Sequence, residues 1–207
     1  MDRDRTTVPP RPETLIPSQR ARRERIVDKA FEYLVHHPYD EIQVRDIATD
    51  ADVALGTVYR YFTSKEHIFA AVLVRWGDAM RERVQRRPLA SADTAGRLQE
   101  IYLRSLKAFE RRPQFFRMLV VIENTTDPYA RQLYEEFTKV SHAAFHEPLC
   151  GFEEHTAAAI TNTLLAVLNA SLRGWATGSI TIDDARRRVT GAVDLIFSPA
   201  PQPIRAE

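Results

Sequence analysis

Residues 42–66 read Ile42-Gln-Val-Arg-Asp-Ile-Ala-Thr-Asp-Ala-Asp-Val-Ala-Leu-Gly-Thr-Val-Tyr-Arg-Tyr-Phe-Thr-Ser-Lys-Glu66. The stretch predicts two short helices joined by a tight turn. Turning about 100° per residue from Leu55 puts Val58 at about 300° and Phe62 at about 340°, on the side that faces a core. Gly56 falls at about 100°, Arg60 at about 140°, Thr57 at about 200° and Tyr59 at about 40°, on or beside the opposite face. A glycine inside a short helix costs about 1 kcal/mol relative to alanine. Close approach of the backbone to something bulky is a reason to keep one at position 56. An amphipathic pair with polar groups on its outer face is a helix-turn-helix pattern. The competing reading is an ordinary helix pair with Tyr59 and Arg60 on the surface.

The run Ala51-Asp-Val-Ala-Leu-Gly-Thr-Val-Tyr-Arg-Tyr-Phe-Thr-Ser-Lys-Glu66 resembles, without a gap, the signature of the tetracycline-repressor (TetR) family. That signature runs roughly Ala-Gly-Val-Ser-x-Gly-Thr-Leu-Tyr-x-Tyr-Phe-x-Ser-Lys-Glu. Ala54 stands where the family usually has a serine cap, and Gln43 where it usually has Thr or Ser. Each forgoes a capping hydrogen bond worth about 1 kcal/mol. The resemblance implies a DNA-facing set of Arg45, Leu55, Gly56, Thr57, Tyr59, Arg60, Tyr61 and Lys65. Arg45 and Arg60 are placed to read bases, since an arginine pairs bidentately with guanine for about 1–3 kcal/mol of discrimination. Thr57 is placed to bond a phosphate or touch a thymine methyl, and Leu55 to make an apolar contact. Tyr59, Tyr61 and Lys65 are placed to grip the phosphate backbone. Tyr61, at about 240°, can equally pack inward.

Length and composition suit a chain of this kind. The 207 residues are 44% hydrophobic, enough for one compact unit or two small ones, and carry a net charge of only +1. That balance argues against indiscriminate polyanion binding; a sequence-specific binder needs only local positive charge. Arg20, Arg22, Arg23, Arg25, Arg45, Arg60 and Lys65 supply it. No apolar run reaches bilayer length, the start lacks a secretory signal's apolar stretch, and a lone Cys150 permits no internal disulfide. The expectation is a cytoplasmic protein with no membrane association.

The rest of the chain reads helical, giving an all-α fold of about nine helices. Residues 1–17, rich in Arg and Pro, and 199–207 are expected to be tails. Residues 18–64 are expected to form the DNA-binding domain and 65–198 a ligand-binding and dimerisation domain. Ser18 is a candidate cap for the first helix. Thr63 to Glu66 fits a capping box for a long fourth helix ending near Arg86, the expected mechanical link. Asp127 before Pro128 gives a cap and a first-turn proline. Gly178 should end the helix over 154–177 and Thr181 should cap the last. That penultimate helix is apolar over a wide arc, which signals burial on two sides. By resemblance, the last two long helices pair with their twins in a homodimer, and a palindromic double-stranded DNA operator follows.

The larger domain interleaves aromatic and apolar residues with a few amides, a composition suited to a hydrophobic effector. Its candidate lining is Tyr102, Leu106, Phe109, Phe116, Leu119, Asn124, Tyr134, Phe137, Leu168, Asn169, Leu172 and Trp175. The sequence is also similar to actinobacterial repressors of lipid and sterol catabolism, which implies a fatty-acyl, steroid or coenzyme A thioester effector. No cofactor is expected. His142, His146 and Cys150 have metal-ligand spacing. Counting from Leu133, however, the two histidines fall at about 180° and about 220°, away from an apolar stripe centred at about 50°. A solvated pair is therefore the favoured reading. No phosphate loop, nucleophile elbow or His-Glu-x-x-His motif marks an enzyme. The alternative is a helical small-molecule or metal sensor without operator binding.

Overall fold

The computed structural model describes residues 8–86 and 89–198. Arg3, Arg5 and the closing segment 199–207 lie outside the described residues. Among these residues the chain forms nine α-helices and no strand: α1 (Pro17–His36), α2 (Val44–Asp50), α3 (Leu55–Tyr61), α4 (Lys65–Arg86), α5 (Thr94–Arg111), α6 (Pro113–Glu123), α7 (Pro128–His146), α8 (Glu154–Ala176) and α9 (Ile182–Phe197). The all-α expectation holds. Two compact units divide it: residues up to Arg81 with 117–138, and 82–116 with 139 onward. This division differs from a boundary at residue 64, because the first unit also takes most of α4, the end of α6 and the first part of α7.

In the first unit, α1, α2 and α3 pack on one another. Ile26, Ala30 and Leu34 of α1 meet a core that includes Ile47 and Ala48 of α2, Val58 of α3, and Phe62, Ile68, Phe69 and Val72. The turn between α2 and α3 is closed by the Val53 amide, which donates to the Ala48 carbonyl at 3.0 Å. Asp52 there sits at φ +52°, in the left-handed region. The family signature has glycine at this position, so Asp52 is a third departure from it. An aspartate tolerates that conformation better than most residues, at some cost relative to glycine.

Helix ends follow local chemistry, with corrections. Pro17, not Ser18, opens α1, after an extended Ile16 that offers no side-chain cap. Within the expected tail Pro9 and Leu15 are buried, and a 3-10 turn covers Pro12–Thr14. Leu15 supplies an apolar anchor that the Arg/Pro composition obscured. Ser64, not Thr63, caps α4, accepting from the His67 amide at 3.0 Å. Asp127 caps α7 as expected, its Oδ1 accepting from the amides of Tyr129 (2.8 Å) and Ala130 (3.0 Å).

In the second unit, α8 packs on α9, and α5 on both. Leu98, Tyr102 and Leu106 of α5, Leu164, Leu168 and Leu172 of α8, and Ala185, Val189 and Val193 of α9 recur at four-residue spacing and are buried. Gly178, at φ +74°, ends α8. Its amide donates to Trp175 at 3.0 Å and the next amide, Ser179, to Gly174 at 2.8 Å, satisfying the last carbonyls. Thr181 and Asp184 cap α9 reciprocally.

Candidate nucleic-acid interface

Helix α3 is seven residues long, and neither it nor α2 has a side-chain cap. Both persist because one side of each is buried: Ile47 and Ala48 in α2, Val58 and Tyr61 in α3. The other side of α3 is open. Leu55 is 42% exposed and Tyr59 48%, high for an apolar and an aromatic residue. Gly56 and Arg60 are exposed and Thr57 is half-exposed. A Cβ built on Gly56 meets nothing within 4 Å, so no intramolecular packing explains that glycine. Arg45, at the start of α2, is also exposed and only loosely paired with Asp46 at 3.5 Å.

The structure separates the remaining predicted residues from this face. Tyr61 is buried, only 4% exposed, so the expected backbone grip from it is withdrawn: its position on α3 turns it into the core beside Val58. Lys65 donates from Nζ to the Tyr39 carbonyl at 2.5 Å and lies 4.2 Å from the Tyr39 ring centroid. Burial lowers its pKa, outweighing Asp40 and Glu66. Several arginines expected to add local charge hold the fold instead. Arg23 lies over Phe62 at 4.8 Å, and Arg25 donates to the Ala51 carbonyl at 3.4 Å.

Behind α3 a polar node fixes the turn into α4, and sequence reasoning found only part of it. The Thr63 amide donates to His67 Nδ1 at 3.2 Å, and the Thr63 hydroxyl donates to Asp127 Oδ2 at 2.5 Å. The first of these bonds requires an unprotonated Nδ1, which puts the ring proton on Nε2. The His67 ring stacks on Tyr129 at 5.6 Å and meets the Phe62 edge at 5.2 Å. Burial pushes its pKa down to about 4, with Asp127 opposing and Arg23 assisting. Burial raises the Asp127 carboxyl, but hydrogen bonds from Thr63, Ser64 and the amides of Ala130 and Tyr129 hold it below the usual carboxylate range. Asp127 was legible as a helix cap; its second role, joining α7 to the α3–α4 turn across a long stretch of sequence, was not.

A model of the bacterial regulatory proteins of the tetR family matches residues 26–72, which span the packed face of α1, α2, α3 and the start of α4. The HTH-type transcriptional repressor KstR of Mycolicibacterium smegmatis is 28% identical over 191 residues, covering 90% of this chain and 92% of that protein. Over its helix-turn-helix the chain is therefore similar to the TetR family. A TetR transcriptional regulator from Rhodococcus sp. RHA1 shares the fold, with a TM-score of 0.70 at 24% identity, over 87% of this chain and 97% of that one. So does FadR from Bacillus subtilis, solved in complex with stearoyl-CoA, with a TM-score of 0.65 at 19% identity over 84% and 97%. The matching model describes regulatory proteins.

In this chain the candidate effector residues divide between the units. Tyr102, Leu106, Phe109, Phe116, Leu168, Leu172 and Trp175 belong to the second; all are buried but Trp175, which is half-buried. Leu119, Asn124, Tyr134 and Phe137 belong to the first. Asn124 is exposed and donates to the Val120 carbonyl at 2.7 Å, closing the end of α6. Asn169 is exposed on α8, on a stripe with Ala159, Asn162, Ala166 and Ala170. Neither amide points into the interior of its own unit. The histidine pair is also placed differently from a solvated one: His142 Nε2 lies 3.1 Å from Asn162 Oδ1 and His146 Nδ1 3.2 Å from Thr161 Oγ1, both on α8. Among the described residues no three His, Cys, Asp or Glu side chains converge to hold a metal ion, and no helix is long and apolar enough to cross a membrane.

Proposed function

We propose that this protein is a ligand-responsive transcriptional regulator that binds a palindromic operator as a homodimer and is released by a hydrophobic small molecule. The observation that carries the reading is the outer face of α3. Leu55, Gly56, Tyr59 and Arg60 are exposed there, and the glycine has room for a side chain that the fold does not use. Such a face fits the major groove, with Arg45 and Arg60 at base edges and Thr57 and Tyr59 at phosphates. Lys65, tied to Tyr39, contributes through the position of the α4 N-terminus more than as a free cation.

The homodimer reading is supported by the small-residue stripe on α8 and by Leu195 of α9, which is 62% exposed. A lipid-like effector, fatty-acyl, steroid or coenzyme A thioester, is supported by the aromatic and aliphatic interior of the second unit. The similarity to KstR and to a FadR that holds stearoyl-CoA favours the same class. An effector that binds better to the conformation with the wrong separation of recognition helices lowers operator affinity by the same coupling free energy, typically about 1–3 kcal/mol. Helix α4 is one continuous connection for that coupling; α7, whose cap Asp127 grips Thr63, is another.

A gel shift with the DNA upstream of the chain's own gene, titrated with salt, tests the reading. Affinity should fall steeply as salt rises, because phosphate contacts release counterions. Arg45→Ala and Arg60→Ala should each weaken binding by about 1–3 kcal/mol and relax base preference at separate positions. A salt-independent shift, or one untouched by either substitution, overturns the proposal and favours a sensor without operator binding.

A further inference from the structure

Four hydroxyl-bearing side chains are buried in the second unit: Tyr102, Ser105, Thr161 and Ser171. Ser105 donates to the Ile101 carbonyl at 3.1 Å, and Thr161 to the Ala157 carbonyl at 2.9 Å. The hydroxyls of Tyr102 and Ser171 have no hydrogen-bond partner among the described residues. The two cases differ. A helical serine can turn its short side chain to the carbonyl four residues back, as Ser105 does. A tyrosine hydroxyl stands at the far end of its ring and cannot reach its own helix backbone. Tyr102 is 0% exposed, with its ring 4.5 Å from that of Phe145 and Leu98 and Leu106 one turn away on either side, both fully buried.

A phenol in that position is costly. A buried polar group without a partner forfeits its hydration and gains nothing in return. Native interiors keep few such groups, and each calls for an explanation, a bound partner being one. The surroundings also define the partner's charge. Burial alone raises the Tyr102 pKa, with no contribution from any charged residue. The other wholly buried polar side chains of the unit are neutral hydroxyls, and its buried Arg112 Nη1 and Gln114 Oε1 belong to residues ten or more positions past Tyr102, beyond the end of α5. Arg112, just past the end of α5, is half-buried with its guanidinium over the Phe115 ring at 5.6 Å. A carboxylate brought to Tyr102 would lose its hydration without meeting a cation.

We propose that Tyr102 is the hydrogen-bonding anchor for the effector, and that it receives a neutral oxygen, a carbonyl or hydroxyl, on an otherwise apolar molecule. This rests on the effector-responsive reading above and narrows it. The ionised end of a free fatty acid does not fit at Tyr102; a ketone, an alcohol or a thioester carbonyl does.

The test uses the full chain and its Tyr102→Phe variant, titrated by calorimetry with dodecan-2-one, androst-4-en-3-one and dodecanoate. Thermal unfolding without ligand and a gel shift with the operator accompany the titrations. At least one ketone should bind the unmodified protein about tenfold or more tightly than dodecanoate, and Tyr102→Phe should weaken that ketone about tenfold. The ligand-free variant should melt no lower than the parent, because the lost hydroxyl had no partner; a purely structural tyrosine would give the reverse. Ser171→Ala, the second unpartnered hydroxyl, should leave ketone affinity unchanged. Ketone affinity unaltered by Tyr102→Phe, dodecanoate binding as tightly as the ketones, or binding of neither ketone overturns the assignment. Failure of the unmodified protein to bind its operator counts against the regulator reading instead. Release of both proteins from DNA by the same ketone concentration counts against Tyr102 alone.

Discussion

The helix-turn-helix and the α8–α9 pair solve the same problem in opposite ways. Helix α8 ends in a glycine-based cap and α9 begins with a reciprocal Thr181–Asp184 box, so each terminus is satisfied by residues within a few positions. Helices α2 and α3 are seven residues each, lack side-chain caps and are joined through Asp52 in a left-handed conformation. Helices that short do not form alone in water. They exist because Ile47, Ala48, Val58 and Phe62 are buried where α1, α2 and α3 pack on one another, Phe62 also meeting His67 of α4. The difference teaches that the face proposed to meet DNA is built from locally poor structure imposed by a good core. Its outward residues were left free for something other than stability.

Removing that core should have the largest effect. Phe62→Ala deletes a fully buried ring that also meets Arg23 and His67, and should cost about 3–5 kcal/mol in denaturant unfolding. A loss below about 1 kcal/mol would mean that α3 stands by itself.

Acid should break the same region next. The folded His67 titrates at about 4, below its ordinary 6.5, so as pH falls the unfolded chain takes up the proton first. The stability tied to this group is therefore complete above about pH 6.5 and is lost as pH drops towards 4, up to about 3 kcal/mol. Chemical denaturation across that window should show the slope, and His67→Gln, which keeps an acceptor for the Thr63 amide, should flatten it.

Two smaller changes sharpen the contrast. Asp52→Gly relieves the left-handed turn and should raise stability by about 1 kcal/mol, measured as a higher denaturation midpoint. Gly56→Ala should also stabilise, by up to about 1 kcal/mol, since its methyl meets nothing in the protein. Unlike Asp52→Gly, it should weaken operator binding. A Gly56→Ala variant that binds DNA as tightly as the parent would remove the functional reason for that glycine.

Much of this was legible in the residues. The spacing of Val58 and Phe62 put them inside and Tyr59 and Arg60 outside. Asp127-Pro128 marked the start of α7, and Gly178 and Thr181 bounded the last two helices. What failed did so for identifiable reasons. Tyr61 sits at an angle on α3 that periodicity leaves open between core and surface, and neighbouring helices decided for the core. Thr63 and Ser64 are both competent caps; Thr63 turned instead to an aspartate far along the chain. Leu15 anchors a segment that its prolines and arginines made look like a tail. Asn124 and Asn169 were chosen by composition, whereas their positions at a helix end and on an outer stripe place both in solvent.

The sequence by itself determined that the chain is helical, where most helices begin and end, and that one short segment carries a DNA-reading pattern, because these depend on contacts within a few residues. The tertiary structure alone decided which polar groups find partners: His67 and Asp127 at the base of the recognition unit do, and the Tyr102 hydroxyl in the second unit does not. Hydrogen-bond satisfaction in a core depends on atoms brought together from distant parts of the chain, and no local rule of periodicity or capping contains that information.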